Sequence, residues 1–240
     1  ISRAKIAETT DLSPATVSNI VKDLMEKELV QETKRGQSRG GRKPILLEIN
    51  PEGAYVIGLE WGISEMKGVL LDLNNNIIKF EEKIIDNFQI QYFIESTVTL
   101  VNSLSETISN SEKIFGIGIG VHGLVDPEQG QSRFAPHFGW ENVSIQKRLE
   151  AKVSYPVLID NDVRMMALTE SRAGRDDFIF VNTGPGIGAA IVLGGKLHYG
   201  KDWSAGEFGH MTIVEKGPVC SCGDTGCLEA LISLNRLVKK

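Results

Sequence analysis

The apolar residues of this chain change their period along its length, and the changes divide it. Val17, Ile20, Val21, Leu24 and Met25 recur at helical spacing and mark one apolar face. Ser13 and Pro14 precede them as an N-cap and a first helical residue of suitable fixed φ. The opposite face holds Ala15, Thr16, Ser18, Asn19 and Lys22, all small or polar. Upstream, Ala4, Ile6 and Ala7 fit a shorter helix over residues 3–9. Thr10-Asp11-Leu12 reads as a tight connection with Leu12 turned inward. Residues 29–33 read as a strand and residues 45–49 as its return. Asn50-Pro51-Glu52-Gly53 is turn-forming, so the chain is expected to divide into residues 1–50 and 51–240.

Beyond that turn, short apolar runs alternate with helical patterns. Strands are expected at 55–59, 67–73 and 77–84, with turns at 60–64 and at Asn74-Asn75-Asn76. An amphipathic helix follows at 92–108, then a buried strand at 114–121 whose alternate glycines suggest close packing. A short helix at 144–150 and a strand at 157–160 lead to Asn161-Asp162, which open a helix reaching residue 173. Strands at 178–182 and 189–193 flank the loop Thr183-Gly184-Pro185-Gly186-Ile187-Gly188. This alternation predicts an α/β fold.

Composition sharpens the division. The 240 residues are 41% apolar, enough for a sizeable core, and carry a net charge of −5, which argues against binding a polyanion by bulk charge. Residues 1–50 nevertheless hold nine Lys/Arg against seven Asp/Glu, and the remainder seventeen against twenty-four. Five of those nine basic residues fall between Lys34 and Pro44, with three glycines and no acid. Two short helices, a brief turn and a basic hairpin describe a helix-turn-helix with a cationic wing. Docking of the second helix in a major groove would set Ser13, Ala15, Thr16, Ser18, Asn19 and Lys22 against operator DNA, with Arg39, Arg42 and Lys43 in a flanking minor groove. An ordinary helical hairpin beside a solvated charge run is the alternative. No run of eighteen apolar residues and no signal peptide are visible, so a cytoplasmic location is expected. The first residue is Ile1 rather than Met, so an earlier start is expected.

The chemistry concentrates near the end. All three cysteines, Cys220, Cys222 and Cys227, fall within eight residues, and His210 lies ten positions ahead of the first. Three thiolates and one imidazole suit a structural zinc ion, and Gly223 and Gly226 would let the loop fold back on itself. Three reduced thiols without metal are the alternative; an odd count and no secretory segment disfavour a disulfide.

The run Gly206-Glu207-Phe208-Gly209-His210 followed by Cys220-Ser221-Cys222-Gly223 and Gly226-Cys227-Leu228-Glu229 resembles the signature of the ROK family of repressors and sugar kinases. Ser13 to Ser18 and the Gly40-Gly41-Arg42-Lys43-Pro44 stretch resemble its transcriptional-repressor branch. The resemblance implies a winged helix-turn-helix before an actin-like, ribonuclease H-like sugar-kinase-type domain. It implies zinc on His210, Cys220, Cys222 and Cys227, and a sugar or sugar phosphate at Gly123, Asn161, Asp162, Glu207, His210 and Glu229. Asp162 stands where the kinases have their base. It further implies a homodimer, another helix ahead of the first pair, and more of the second lobe after Lys240.

Five positions depart from that pattern. Glu60 and Ile63 replace an Asp and a Gly in the first phosphate loop, and Pro185 replaces a Thr in the second. His122 replaces a proline and His137 an asparagine beside the sugar cleft, where Trp140 is expected to pack in the core. Proline removes a hydroxyl and an amide donor together. The reading is therefore a sugar-responsive repressor that is not an enzyme. An active ATP-dependent sugar kinase carrying a DNA-binding domain is the alternative.

Overall fold

The computed structural model describes residues 1–35 and 44–238. Arg39, Arg42 and Lys43 therefore lie outside the described residues.

Hydroxyl caps start both of the first helices. The Ser2 side chain accepts the Lys5 N–H ahead of α1 (Arg3–Thr10), and Ser13 accepts the Thr16 N–H at 3.1 Å ahead of α2 (Pro14–Glu26). β1 (Val30–Arg35) pairs antiparallel with β2 (Ile45–Ile49), and Ile1 exchanges backbone bonds with Leu47 beside it. Val17, Val21 and Leu47 form the core of this unit, ringed by Ile6, Ala7, Met25 and Val30. Leu12 and Ile20 do not join it: they are 41% and 46% exposed. Ile20 lies about 60° around the helix from Val17, on the side away from Val21. So small a core covers only the narrower stripe, and Leu12 stays on the outside of the connecting turn.

A short 3-10 turn over Pro51–Gly53 leads into the larger part. β3 (Tyr55–Trp61), β4 (Glu65–Asp72) and β5 (Ile77–Ile84) form an antiparallel meander. β3 runs into the expected turn because Trp61 is fully buried and pairs with Met66. α3 (Ile90–Ser105) buries Phe93, Ile94, Leu100, Val101 and Leu104 against the sheet. β6 (Ile114–Val121) returns parallel to β3.

Three short strands follow, β7 (Leu124–Asp126), β8 (Gln131–Ala135) and β9 (Trp140–Ser144), in a small sheet of their own. The sequence reading did not separate them, because strands of three to five mixed residues are too short to display a period. α4 (Ile145–Glu150) then leads to β10 (Val157–Asn161), which completes a mixed sheet of order β10-β6-β3-β4-β5. α5 (Asp162–Arg172) starts directly from β10 and buries Val163 and Ala167 against the next sheet. That sheet is β11 (Phe178–Thr183), β12 (Ile187–Leu193) and β13 (Lys196–His198), all antiparallel. After a long irregular run come α6 (Leu228–Ile232) and α7 (Leu234–Val238).

Two glycines of β6 match the close packing expected of them, and one does not. A Cβ at Gly120 would come 3.2 Å from the Asp162 Cα, so its absence lets the first turn of α5 rest on the strand. Gly116 approaches the Pro156 carbonyl similarly, whereas Gly118 faces open space. Trp140 lies in the core, as expected, and donates its indole N–H to the Phe88 carbonyl at 2.8 Å. It meets Trp61 edge-on and packs with Phe93 at 4.9 Å between ring centres, while the Trp61 indole donates to Thr97 at 3.0 Å. Trp61→Ala is expected to lower stability by about 3–5 kcal/mol, read as a lower denaturant midpoint; a change below about 1 kcal/mol would show that this cluster is not central to the lobe.

Candidate functional site

Between β13 and α6, backbone bonds and glycines rather than regular structure shape the chain. The Cys220 N–H donates to the Asp224 carbonyl at 2.7 Å and the Gly223 N–H to the Cys220 carbonyl at 3.1 Å, closing a knuckle. Gly226 has φ +73°, and a Cβ there would overlap the Val214 carbonyl oxygen. Only glycine fits, and it turns Cys227 back toward the knuckle. A 3-10 turn over Phe208–His210 supplies the histidine.

The donor atoms of His210, Cys220, Cys222 and Cys227 all lie within 4.8 Å of one another. His210 Nδ1 is 3.4 Å from Cys220 Sγ, and Cys222 Sγ is 3.8 Å from Cys227 Sγ. Cys220 and Cys227 are buried. Burial, then the neighbouring thiols, push the Cys227 thiol up to about 12. Burial also opposes the Cys220 thiolate, but the Cys222 N–H and His210 outweigh it and hold that thiol below its ordinary range. Packed thiols with such opposed tendencies are what a cation would reconcile, so the cluster can hold one metal ion.

His210 belongs to a second feature as well. Its Nε2 points away from the thiols, 3.9 Å from Glu207 Oε2, into a cavity of about 350 Å³ between the two sheets. Gly123, Asn161, Asp162, Glu207, His210 and Glu229 all line that cavity. Cys222 and Asp224 line it too, so the metal loop forms one of its walls.

Several of these side chains are already held by protein. Asn161 is the N-cap of α5, accepting the Arg164 N–H at 3.1 Å and donating to the Gly123 carbonyl at 3.0 Å. Its amide thus positions Gly123, whose φ of +98° and close approach to the Phe134 carbonyl suit glycine alone. Asp162 accepts its neighbour's N–H, from Val163, through Oδ1 and turns Oδ2 to the cavity, 3.8 Å from His122 Nδ1. Glu229 is buried and bridges two loops, taking the Ile187 N–H at 2.9 Å and the Ser221 hydroxyl at 3.0 Å. Partial desolvation against the cavity wall raises the Glu207 carboxyl above its usual range, against the pull of His210, Arg164 and His122; its side chain stays 42% exposed, which keeps the effect small.

Sequence reasoning missed part of the lining, notably the contact between His122 and His137. Their rings meet edge-on, with His122 Nε2 3.1 Å from His137 Nδ1. Both were visible as departures from the family pattern; only the fold shows that they touch. Beneath the cavity Arg164 is buried, with Nε 2.9 Å from Asp160 Oδ1 as an ion pair lacking the alignment of a hydrogen bond. Its Nη2 donates to the Val125 carbonyl at 2.7 Å, and its guanidinium lies over the Tyr199 ring. Burial, then Asp160, push the Tyr199 phenol to about 12.

The two loops expected to face phosphate are closed hairpins. Gly62 donates to the Glu65 carbonyl at 3.0 Å, and Ile63 packs against the main core. In the β11–β12 turn the Gly184 N–H donates to the Gly186 carbonyl at 2.9 Å, and the Ile187 N–H is held by Glu229. At the other end of the molecule Ser13, Ala15, Thr16, Ser18, Asn19 and Lys22 are all exposed. No helix among the described residues is long and apolar enough to cross a membrane.

Glu229→Gln tests the bridge. An amide offers only one accepting oxygen to two donors, so one of them is left unsatisfied in a buried place. The expected loss is about 1–3 kcal/mol in stability with an unchanged denaturant slope; a variant as stable as the parent would show that Glu229 does not hold both groups.

Known proteins resemble this chain in sequence and fold. The ROK family model matches residues 56–240. A xylose repressor of Caldicellulosiruptor bescii is 37% identical over 256 residues, a match covering 100% of this chain and 63% of that protein. A crystal structure of a ROK family transcriptional regulator, a homolog of the E. coli MLC protein, superposes with a TM-score of 0.81 at 26% identity, covering 100% of this chain and 62% of that one. A ROK family glucokinase from Streptomyces griseus, solved with glucose and AMPPNP, superposes with a TM-score of 0.71 at 29% identity, over 78% of this chain and 59% of the kinase. The chain spans less than two thirds of the length of each of these relatives. With its actin-like mixed sheet, and with the family pattern matched from residue 56 onward, the chain belongs to the ROK family.

Proposed function

We propose that this protein is a sugar-responsive DNA-binding transcriptional repressor of carbohydrate-utilisation genes, acting in the cytoplasm. The observation that carries this reading is the presence, on one chain, of an exposed small-polar helix face and a cavity of monosaccharide size. Residues 1–50 serve as a winged helix-turn-helix. α2 enters the major groove through Ser13, Ala15, Thr16, Ser18, Asn19 and Lys22, and the basic stretch with Arg39, Arg42 and Lys43 takes a minor groove. The chain acts as a homodimer, and sugar in residues 51–240 favours an arrangement with lower operator affinity. The xylose repressor and the transcriptional regulator among its relatives support this.

The metal is zinc. A tetrahedron with Zn–S bonds of about 2.3 Å has edges of about 3.8 Å, and the Cys222–Cys227 separation is 3.8 Å. Zinc would supply a structural cross-link and hold the His210 ring, whose Nε2 then faces the sugar together with Glu207. Gly123, Asn161, Asp162 and Glu229 complete the sugar site.

The loop geometry favours sensing over phosphoryl transfer. Transfer requires a positioned nucleotide, and here the Gly184 and Ile187 amides are engaged inside the protein while Pro185 has no N–H to offer. Asp162 is kept as a hydroxyl acceptor. The glucokinase relative supports the opposite reading, so the full-length protein should be assayed with ATP and sugars. Phosphorylation at ordinary kinase rates, abolished by Asp162→Asn, would replace the repressor-only reading with the bifunctional one.

Two further outcomes are expected. Metal analysis of protein purified without chelators should find one zinc per chain, lost in Cys222→Ser together with the sugar response; zinc-free parent protein would refute the assignment. Arg39→Ala with Arg42→Ala should weaken binding to a selected operator duplex and flatten its salt dependence. The log–log slope should fall by about 0.9 for each phosphate that the double variant no longer neutralises. Thr16→Ala and Asn19→Ala should instead change which sequence is preferred. An unchanged salt slope in the double variant would remove the wing from the DNA interface.

A further inference from the structure

We infer that His122 and Asp162 form a donor–acceptor clamp for a single hydroxyl of an uncharged monosaccharide, with His137 positioning the His122 ring. This deepens the sugar-sensing reading above and rests on it.

His122 Nδ1 and Asp162 Oδ2 face each other across 3.8 Å at the cavity wall. That is too long for a hydrogen bond between them. One hydroxyl oxygen, however, reaches both at ordinary lengths, accepting from the imidazole and donating to the carboxylate. The geometry requires a proton on His122 Nδ1, and the neighbouring ring provides for it. His122 Nε2 lies 3.1 Å from His137 Nδ1. If His122 is neutral, the tautomer whose Nε2 accepts from His137 carries its proton on Nδ1, and the Asp162 carboxylate facing Nδ1 favours that tautomer over the reverse one. If His122 is charged, its Nε2 donates to His137 and Nδ1 still carries a proton. Burial disfavours the charged form of His122, but Asp162, Glu229 and Glu207 outweigh it and raise its pKa. Burial and then His122 lower that of His137, so His137 is the neutral partner. The donor at Nδ1 is therefore present in the charged form and in the neutral tautomer that Asp162 favours.

The β11–β12 turn lies beside the ring: a Cβ at Gly186 would stand 3.5 Å from His122 Cε1. The clamp thus sits where both lobes meet, which is where an occupant can bias their arrangement.

The charge of the cavity selects the class of ligand. Glu60, Asp162, Glu207 and Glu229 line it, and among the described lining residues there is no lysine. Arg164 lines the cavity as well, but is engaged with Asp160 and the Val125 carbonyl. A phosphate dianion would meet more carboxylates than cations, with His122 already facing Asp162, whereas neutral hydroxyls suit every one of these acceptors.

Calorimetric titration tests this with aldopentoses and aldohexoses, their monodeoxy analogues and their monophosphate esters. The parent should bind a neutral sugar, and removal of one particular hydroxyl should weaken it roughly ten- to a hundredfold. His122→Phe, which keeps a flat ring but no N–H, should weaken the sugar similarly and remove most of the difference between it and that deoxy analogue. Should His122→Phe fail to fold by thermal unfolding, Asp162→Asn alters the same hydroxyl's acceptor and must shrink the same difference. A deoxy penalty that persists undiminished in the folded variant overturns the clamp while leaving the sugar site intact. A phosphate ester that binds more tightly than its parent sugar overturns the ligand class. Binding of no sugar at all sinks the sugar-sensing reading itself, and the clamp with it.

Discussion

A buried carboxylate ties the cleft together. Glu229 begins α6, yet its oxygens reach the first amide of β12 and the Ser221 hydroxyl inside the cysteine knuckle. Three segments meet at this side chain, and the amide of β12 lies 42 residues away in sequence. It stands between the hairpin, the cysteine loop and the cavity. Buried carboxylates are unfavourable unless their acceptors are filled, so Glu229 constrains both partners strongly. The same bond withdraws the Ile187 amide from the cavity. The interaction that stabilises the cleft therefore also removes a donor that a nucleotide would need.

Much of this was legible in the chain itself, and the reasons it was legible are local. The strands at 77–84 and 114–121 follow from apolar runs between turn residues, and Ser13-Pro14 fixes the start of α2. The His/Cys cluster was legible because its four donors lie within eighteen residues, so their convergence depends on short-range backbone turns. What escaped depends on tertiary contact. Ile20 and Leu12 satisfy a helical pattern, but exposure is decided by how small the adjoining core is. β7, β8 and β9 are too short to carry a period. The resemblance puts Asn161 at the sugar, and it lines the cavity; that its side chain also caps α5 and holds the Gly123 carbonyl is visible only in the fold. His122 and His137 stand fifteen residues apart, and nothing in either neighbourhood announces their contact.

The joining of the two parts of the chain has a different character from either core. Glu28, just after α2, reaches across it. Its carboxylate pairs with Lys113 at 2.7 Å, while its carbonyl accepts the Asn50 side-chain amide at 2.7 Å within the first part. Lys113 also donates to the Glu52 carbonyl at 3.1 Å. Lys113 holds the Glu28 carboxyl below its usual range, but Glu28 is exposed and Lys113 only half-buried. Exposed pairs of this kind contribute little and weaken with salt. The small Val17–Val21–Leu47 core does not extend across the junction. Among the described residues, residues 1–50 thus meet the rest through this ion pair and the close backbone approach of Gly53 to Glu28 and Leu29, with no shared apolar cluster.

That contrast bears on how a sugar could change DNA affinity. A ligand shifts an equilibrium only by its differential affinity for the two states. A junction welded by buried apolar surface would demand a large difference; one held by exposed polar contacts demands far less. β6 runs from Ile114, next to Lys113, to Val121, next to His122. One strand therefore connects the junction at one end with the cavity wall at the other, inside the main sheet where it pairs on both sides. A paired central strand does not stretch, so a change in cavity occupancy would act through rigid displacement of the lobe and not through local unfolding. The weak link in that path is Glu28 with its partners, and it lies beside the end of the helix that carries the proposed base contacts.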